Sequence, residues 1–293
     1  MLWVIYPLIV AILWSVIDIL DKHIVSDELK DPFVCTVIFG FVSLILVIIS
    51  GIFGDVFSVD PVSIFLLLLA GFIFAVANIF HVTALQNGKI SKIAPLFPLR
   101  VLFLTLFAFI FLGERLQGLQ YFGILVVIIG TILISYKHGE KYSISISLIL
   151  MLVSILFKAM RDIFVRFGKD LGNYGLFQYL FWIWLGYFLV SLIIFIFHHP
   201  HIIKKAKKGI EHLILNKILA VISLAIYFYA ISTYSVSMVA VITSLSPLFI
   251  FFLVLFFTKV KPKVIYEKFD KPNLIINLVA TVLTVIGAIF ILI

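Results

Sequence analysis

Charged residues are scarce in this chain. Asp, Glu, Lys and Arg together make up 12% of its 293 residues, whereas a soluble globular domain holds about a quarter. Apolar residues make up 64% of the chain, and its mean hydropathy is +1.28. A large core cannot account for so little charge, because the surface of a soluble domain must still face water. The composition therefore excludes a soluble globular protein and indicates a membrane protein.

Cysteine is almost absent, and so is regular alternation of polar and apolar residues. The single cysteine, Cys35, excludes an intramolecular disulfide and is interpreted as a small packing side chain within an apolar run. Segments such as Phe33 to Phe53 are continuously apolar instead of alternating, which excludes a membrane β-barrel and leaves α-helices as the spanning elements. The sequence also lacks a P-loop pattern, so nucleotide hydrolysis is not expected to drive its activity.

The apolar runs that are present have the length of membrane-spanning helices. Runs of about 20 residues match the hydrocarbon thickness of a bilayer, and the sequence contains ten of them. The fourth run, Ile90 to Leu112, contains Pro95 and Pro98, and the ninth, Val236 to Phe257, contains Pro247. We therefore predict an all-α membrane protein with ten transmembrane helices.

The two halves of the chain repeat each other. Asp18 and Lys22 in the first run recur 144 positions later as Asp162 and Arg166 in the sixth. Because each half has an odd number of spans, the second half must enter the membrane from the opposite side. We predict two inverted five-helix repeats, residues 1–139 and 140–293. A site between such repeats can face each compartment in turn, which is the basis of alternating access.

One stretch carries a family resemblance. The segment Ser91 to Pro98, an apolar helix and then the turn Gly113-Glu114 together resemble the EamA-type transporters of the drug/metabolite transporter (DMT) superfamily. The resemblance implies a multi-pass secondary transporter of the cell membrane and not an enzyme. The second half departs from the family pattern, because Thr258 to Lys263 stand where a second Gly-Glu turn is usual. We interpret Gly113 and Glu114 as a structural turn in which the carboxylate caps the next helix.

Ionisable and polar residues within the predicted spans are the candidate substrate-binding residues. A charged side chain at the centre of a membrane helix costs about 2.5–3.5 kcal/mol, so its presence needs a reason. The candidates are Trp14, Asp18, Asn78, His81, Arg100, Lys158, Arg161, Asp162 and Tyr227. We expect Arg100 and Lys158 to attract a carboxylate or phosphate, with Asp162 holding the bases of the sixth helix in place.

Structural interpretations of the same residues stay open. Asp18 with Lys22, and Asp162 with Arg161 or Arg166, are equally well explained as pairs near helix ends whose long side chains extend to the interface. An isolated histidine such as His81 is more often a hydrogen-bonded packing residue than a proton carrier. Tyr227 fits either the cavity wall or an aromatic belt.

No cofactor and no metal are expected. His198, His199 and His201 have the composition of a metal cluster, but Pro200 and the following lysines favour an interfacial loop. Those lysines also account for much of the surplus charge of +8. Because they lie beside a span, they are expected to contact anionic lipid headgroups and not nucleic acid. The expected partners are membrane lipids and a small-molecule solute; a homodimer is left open.

The expected activity is that of a permease or exporter of small organic metabolites, driven by a proton or sodium gradient or by exchange. Bases outnumber acids within the spans, which slightly favours anionic or zwitterionic solutes such as amino acids. One alternative is an exporter of lipophilic cationic drugs. Another is an integral membrane enzyme acting on lipid or polyprenyl substrates, which requires carboxylates gathered at one interface. Inversion of the repeat is expected to place Asp18 and Asp162 on opposite sides of the membrane instead.

The charges of the loops predict an orientation. Most of the 22 Lys and Arg residues follow the first, third, fifth, seventh and ninth spans. The positive-inside rule assigns that side to the cytoplasm, so both termini are predicted outside. The resemblance implies the opposite, because relatives with ten helices commonly keep both termini in the cytoplasm.

Overall fold

The computed structural model describes residues 2–29, 31–112, 118–135, 145–205, 209–234, 236–260 and 271–292. Throughout these ranges the chain is helical apart from short connections, and no strand occurs in them. The α-helices are α1 (Ile5–His23), α2 (Pro32–Phe53), α3 (Pro61–Asn87), α4 (Ile90–Ile93), α5 (Leu99–Leu112), α6 (Gly118–Ser135), α7 (Ile146–Asp170), α8 (Leu176–Lys205), α9 (Ile210–Thr233), α10 (Val236–Thr243), α11 (Ser246–Val260) and α12 (Lys271–Leu292). The predicted all-α class is confirmed.

Two of the predicted spans are broken helices. The fourth consists of α4 and α5, joined by a 3₁₀ turn over Ala94–Leu96, and the ninth consists of α10 and α11. Proline explains both breaks, because it lacks a backbone N–H and its ring clashes with the preceding turn. With each broken pair counted once, the described helices form the ten expected segments. Five of them are long and apolar enough to cross a membrane by length and composition alone: Pro32–Phe53, Pro61–Asn87, Ala94–Phe111, Leu176–His198 and Ile210–Thr233.

Asp-Pro pairs determine where α2 and α3 begin. The Asp31 side chain accepts a hydrogen bond from the backbone N–H of Phe33, and Asp60 accepts from those of Val62 and Ser63. In both helices proline occupies the first helical position, where its fixed φ favours helix and no donor is lost. Both helices therefore start at positions that the local sequence specifies.

Asp60 also joins two loops on the same side of the helices. The Tyr174 hydroxyl, in the connection between α7 and α8, donates to Asp60 Oδ2 at 2.7 Å. Hydrogen bonds from Ser63, Tyr174 and the Val62 amide lower the pKa of Asp60 from 3.8 to about 2. A lowered pKa favours the folded state when the carboxyl is ionised. This contribution is therefore present at neutral pH and is lost as the pH falls through about 2.

Helix packing follows a two-fold pattern between the halves. In the first half α3 packs against α7 and α8, and in the second half the equivalent α9 packs against α1 and α2. The second and last helices of each half pack on their own counterparts, α2 on α8 and α6 on α12. Exchange of partners in this way is what a two-fold axis relating two similar units produces.

The same relation appears in single hydrogen bonds. Lys22 Nζ donates to the carbonyl oxygen of Leu85 at 2.7 Å, and Arg166 Nη1 donates to that of Ile231 at 3.2 Å. The two bases are 144 positions apart and the two carbonyl groups 146 apart. In each half, therefore, a base at the end of the first helix binds the same part of the third helix.

Candidate solute-binding cavity

A cavity lies between the two halves. Its walls come from α1, α2, α3 and α5 of the first half and from α7, α9, α10 and α11 of the second. Its volume is about 110 Å³, which is room for several water molecules. Both broken segments reach it: Phe97 and Arg100 line it from one, and Thr243 and Ser246 from the other. Interrupted helices in corresponding positions of two inverted repeats are a common mark of transporter binding sites.

Most of the residues predicted from the sequence meet at this cavity. Its walls include Trp14, Asp18, Asn78, His81, Arg100, Lys158 and Arg161. Asp162 and Tyr227 lie directly behind the wall, where both are fully buried and hydrogen-bonded to Arg100. Tyr227 packs against Trp14, with ring centroids 5.0 Å apart. It is thus an interior residue, and the aromatic-belt interpretation is wrong.

Asp162 is shared by two arginines. Arg100 donates through Nε to Asp162 Oδ2 at 2.8 Å and also through Nη2. Arg161 donates to Oδ1 through Nε at 3.0 Å and Nη2 at 2.7 Å. The Tyr227 hydroxyl donates to Oδ2 at 3.2 Å. One negative charge therefore faces two positive charges in this cluster.

Aromatic faces surround the second guanidinium group. The Arg161 guanidinium carbon lies 4.5 Å from the ring centroid of Phe74 and 5.2 Å from that of Phe228. Arg100 lies 4.7 Å from the centroid of Tyr227 and 5.4 Å from that of Trp14. A desolvated cation gains about 2 kcal/mol from such a ring face, which offsets part of the cost of burying two arginines together.

A histidine connects the other predicted carboxylate to a lysine. His81 Nε2 lies 2.9 Å from Asp18 Oδ1, and its Nδ1 lies 3.0 Å from Lys158 Nζ. An ammonium group can only donate, so Nδ1 accepts from Lys158, and the ring proton sits on Nε2, where it is donated to Asp18. The three side chains come from α1, α3 and α7 and form one continuous hydrogen-bonded line.

Asp18 with His81 and Asp162 with Tyr227 are equivalent pairs. The carboxylates are 144 positions apart and the ring residues 146 apart, and each ring residue hydrogen-bonds the carboxylate of its own half. Asp18 lines the cavity, and Asp162 lies behind its wall, bonded to Arg100. Placement of the two carboxylates on opposite sides of the membrane stays a prediction.

One pair of the interface interpretation, Asp162 with Arg161, is observed, but it lies buried inside the protein. Asp162 is 0% exposed and binds Arg100 as well as Arg161, whereas Arg166 pairs with Asp170 at 2.5 Å. Asp18 is 8% exposed and pairs with His81. These carboxylates are therefore interior groups of the protein.

Sequence reasoning missed a second buried ion pair. Lys217 Nζ donates to both carboxylate oxygens of Asp21, at 2.7 and 2.8 Å, and Asn216 Nδ2 donates to Oδ1 at 2.8 Å. Asp21 and Lys217 both line the cavity, and Lys217 is 1% exposed. In the sequence Lys217 stands near the start of the eighth apolar run, which begins at Leu213, and it was counted among the loop charges. In the structure α9 begins at Ile210, about two turns before Lys217.

Charge around the cavity does not balance. The bases outnumber the acids by one: they are Arg100, Lys158, Arg161 and Lys217, against Asp18, Asp21 and Asp162. Within the described part of the chain, Lys158 has no carboxylate within ion-pair distance, and its ammonium group contacts His81. The cavity is therefore electrostatically suited to a negative charge beside Lys158.

The other predicted residues do not contribute to this site. Gly113 and Glu114 lie outside the described residues. His198 is an exposed residue stacked on Phe33, with ring centroids 5.2 Å apart, and the side chains of His199 and His201 are not among those described. Over the ranges that the structure covers, no group of three His, Cys, Asp or Glu side chains could hold a metal ion.

Comparison with known proteins agrees with this architecture. The model of the EamA-like transporter family matches residues 1–136. Among 27 solved chains that match, one described as "Crystal structure of protein" has a TM-score of 0.64 and 15% sequence identity, covering 98% of this chain and 95% of that chain. That identity supports the shared fold alone. No curated protein matches the chain. The family resemblance read from the sequence is thus confirmed over residues 1–136, where the chain is similar to a family of membrane transporters of small molecules.

Proposed function

We propose that the central cavity binds small organic anions or zwitterions, amino acids among them. Alternating access between two inverted repeats, residues 1–139 and 140–293, then carries the solute across the membrane. The observation that supports this proposal is the unbalanced charge of Lys158. Its ammonium group is half-buried, contacts a histidine nitrogen and has no carboxylate partner among the described residues. A carboxylate of the solute would supply the missing negative charge.

The walls of the cavity also suit the rest of an amino acid. Asp18 and Asp21 border the same space and can receive an ammonium group. Phe39, Phe74 and Phe97 provide apolar surface for a side chain. Such a combination of mostly apolar walls with a few directed polar groups is typical of small-molecule sites.

The position of the helix breaks supports alternating access. α4 with α5, and α10 with α11, are interrupted beside the cavity in equivalent places of the two halves. Ser15 Oγ donates to the carbonyl oxygen of Ser246, at the start of α11, across 3.0 Å. A side chain of the first half therefore binds backbone at a break in the second, and movement of either half changes the cavity wall.

The substrate class is tested by thermal stabilisation of the purified protein with a panel of amino acids, dicarboxylates and lipophilic cations. We expect amino acids or carboxylates to raise the melting temperature of the wild type. Lys158→Met should weaken that binding about 10-fold to 100-fold, because a charge-assisted hydrogen bond contributes about 1.5–3 kcal/mol. Lys169→Met is the matched control, since this base lies at the end of α7 and bonds Asn173.

Stabilisation by lipophilic cations alone, or equal loss in both lysine variants, would reject this substrate class. Counterflow of the stabilising amino acid in proteoliposomes then establishes transport, because exchange of labelled for unlabelled solute requires a carrier.

We also propose that the protein is a multi-pass protein of the cell membrane with both termini on the extracytoplasmic side. The loop between α2 and α3 has Asp55 and Asp60 and no base, which supports this orientation. Lys217 is buried in α9, so it does not contribute to the positive charge of the loops. A C-terminal reporter that is active only in the cytosol should stay silent, and a signal from it would reverse the orientation. A homodimer stays a prediction.

A further inference from the structure

The line Asp18–His81–Lys158 has the parts of a proton relay. An imidazole ring can accept a proton at one nitrogen while it releases one from the other. Here Nδ1 lies 3.0 Å from the lysine nitrogen and Nε2 lies 2.9 Å from the carboxylate oxygen, so both transfers have hydrogen-bond geometry. Each group comes from a different helix, and all three side chains line the cavity. A packing histidine needs neither a titratable group at both ends nor contact with the cavity.

We propose that Asp18, His81 and Lys158 bind a proton that is transported together with the anionic group of the solute, making transport a proton symport. The proposal rests on the proposed function of the cavity and names the ion that drives it. It also assigns the proton to one hydrogen-bonded line, separate from the cluster of Arg100, Arg161 and Asp162.

The proton transfers balance without any co-reactant. In the observed hydrogen-bond arrangement the lysine is an ammonium, the ring carries its proton on Nε2, and Asp18 is a carboxylate. Transfer of one proton from Nζ to Nδ1 and another from Nε2 to Asp18 gives a neutral amine, a neutral ring and a carboxylic acid. The net charge of the line stays zero during this transfer. When Asp18 then releases its proton to water, the three side chains together hold one proton fewer and carry a net charge of −1.

Coupling follows from the charge of Lys158. A neutral amine cannot compensate an anion, so solute binding draws the proton back onto the lysine nitrogen. By thermodynamic linkage, the proton must raise solute affinity by the same factor as the solute raises proton affinity. The solute therefore binds the protonated line, the carrier loses this proton after it has released the solute and before it returns, and solute and proton cross in the same direction.

The surroundings of His81 leave this line free to titrate. The charged groups acting on its ring are Lys158 of α7 and Asp18 and Asp21 of α1. Asp21 is held by Lys217 of α9, while Arg100 of α5 and Arg161 of α7 are both held by Asp162. Its own helix contributes the neutral Asn78, and Phe97 packs on the ring with centroids 5.9 Å apart.

The test uses full-length protein in liposomes that contain a pH-sensitive dye, with L-leucine and L-glutamate as probe solutes. Solute added outside should acidify the interior of wild-type vesicles, and an inwardly directed proton gradient should accelerate uptake. His81→Gln keeps one hydrogen-bond donor and one acceptor but cannot relay a proton. Because His81 also lines the cavity, counterflow at equal pH measures any loss of solute binding, and gradient-driven uptake should fall about 100-fold further than counterflow does.

Asp18→Asn is the second variant, because the amide has the carboxylate's shape but accepts no proton. Asp18 also borders the solute, so its gradient-driven uptake is compared with its own counterflow and should again fall about 100-fold further. His198→Gln is the control, since this ring is exposed and stacks on Phe33, away from the cavity. Proton movement that survives in either relay variant, or wild-type counterflow unaccompanied by proton movement, would overturn the symport while leaving the proposed solute function intact.

If the protein exchanges neither L-leucine nor L-glutamate, a measurement without solute still tests the relay. In protein labelled with ¹⁵N-histidine, the ring signal that disappears in His81→Gln belongs to His81. This signal should show the Nε2–H tautomer at neutral pH. Its chemical shift should change when the pH is raised, and it should also differ between Lys158→Met and wild type. A doubly protonated ring, or a signal unaffected by both pH and Lys158→Met, would exclude the relay.

Discussion

Replacing Asp162 with alanine is expected to destabilise the folded protein by about 3–5 kcal/mol, the usual cost of breaking a buried ion pair. Asp162 is fully buried and is the carboxylate that both Arg100 and Arg161 contact. Without it, two desolvated guanidinium groups face each other with the Tyr227 hydroxyl as the remaining polar contact of Arg100. Aromatic faces around Arg161 reduce this cost but cannot replace a negative charge.

The comparison with Arg161→Met makes this expectation specific. That variant leaves one arginine with one carboxylate, so charge within the cluster balances, and it should destabilise less than Asp162→Ala. Asp170→Ala is the matched control, because it breaks a half-exposed pair with Arg166 that is expected to contribute at most about 0.5 kcal/mol. Unfolding would be measured as the melting temperature in detergent and as a titration with a denaturing detergent. Equal effects of Asp162→Ala and Asp170→Ala would contradict the shared-carboxylate arrangement.

Replacing Lys217 with methionine is expected to have a similar effect, again about 3–5 kcal/mol. The substitution leaves the Asp21 carboxylate buried at 3% exposure, with Asn216 Nδ2 as a neutral donor. Methionine preserves most of the side-chain volume and the contact with Phe39, whose ring centroid lies 5.3 Å from the lysine nitrogen. The loss should therefore come from the uncompensated charge and not from a cavity.

A second substitution separates these two causes. Asp21→Asn removes the charge that Lys217→Met leaves behind, so the double variant should recover most of the lost stability in the same unfolding measurement. Replacement of both members of a buried pair by neutral groups is often nearly neutral. A double variant no more stable than Lys217→Met alone would show that packing, and not charge, dominates at this position.

Three polar contacts at the cavity join one half of the chain to the other. Asp21 of α1 binds Lys217 of α9, and Arg100 of α5 binds Asp162 of α7. The line through His81 of α3 ends on Lys158 of α7. Any movement of one repeat against the other must keep, exchange or break these contacts. Substitutions that alter them should therefore change both stability and the rate of transport.

The amino-acid sequence by itself determined the membrane class, the ten helical segments and most of the charged residues of the cavity. Little charge and long apolar runs exclude water as the main solvent, and these properties are local. The cost of a charge in hydrocarbon then singles out Arg100, Lys158, Arg161 and Asp162 wherever the chain folds. The repeat from Asp18 to Asp162 was visible because duplication leaves equal spacings in the sequence.

Only the tertiary structure decided which charged side chains form pairs with each other. Helical periodicity places a residue on a face of its own helix, but its partner lies on another helix more than 60 positions away, as His81 does from Asp18. The Asp21–Lys217 pair was missed for this reason. Pairing depends on how helices from both halves pack around the axis, and that packing is a property of the whole chain.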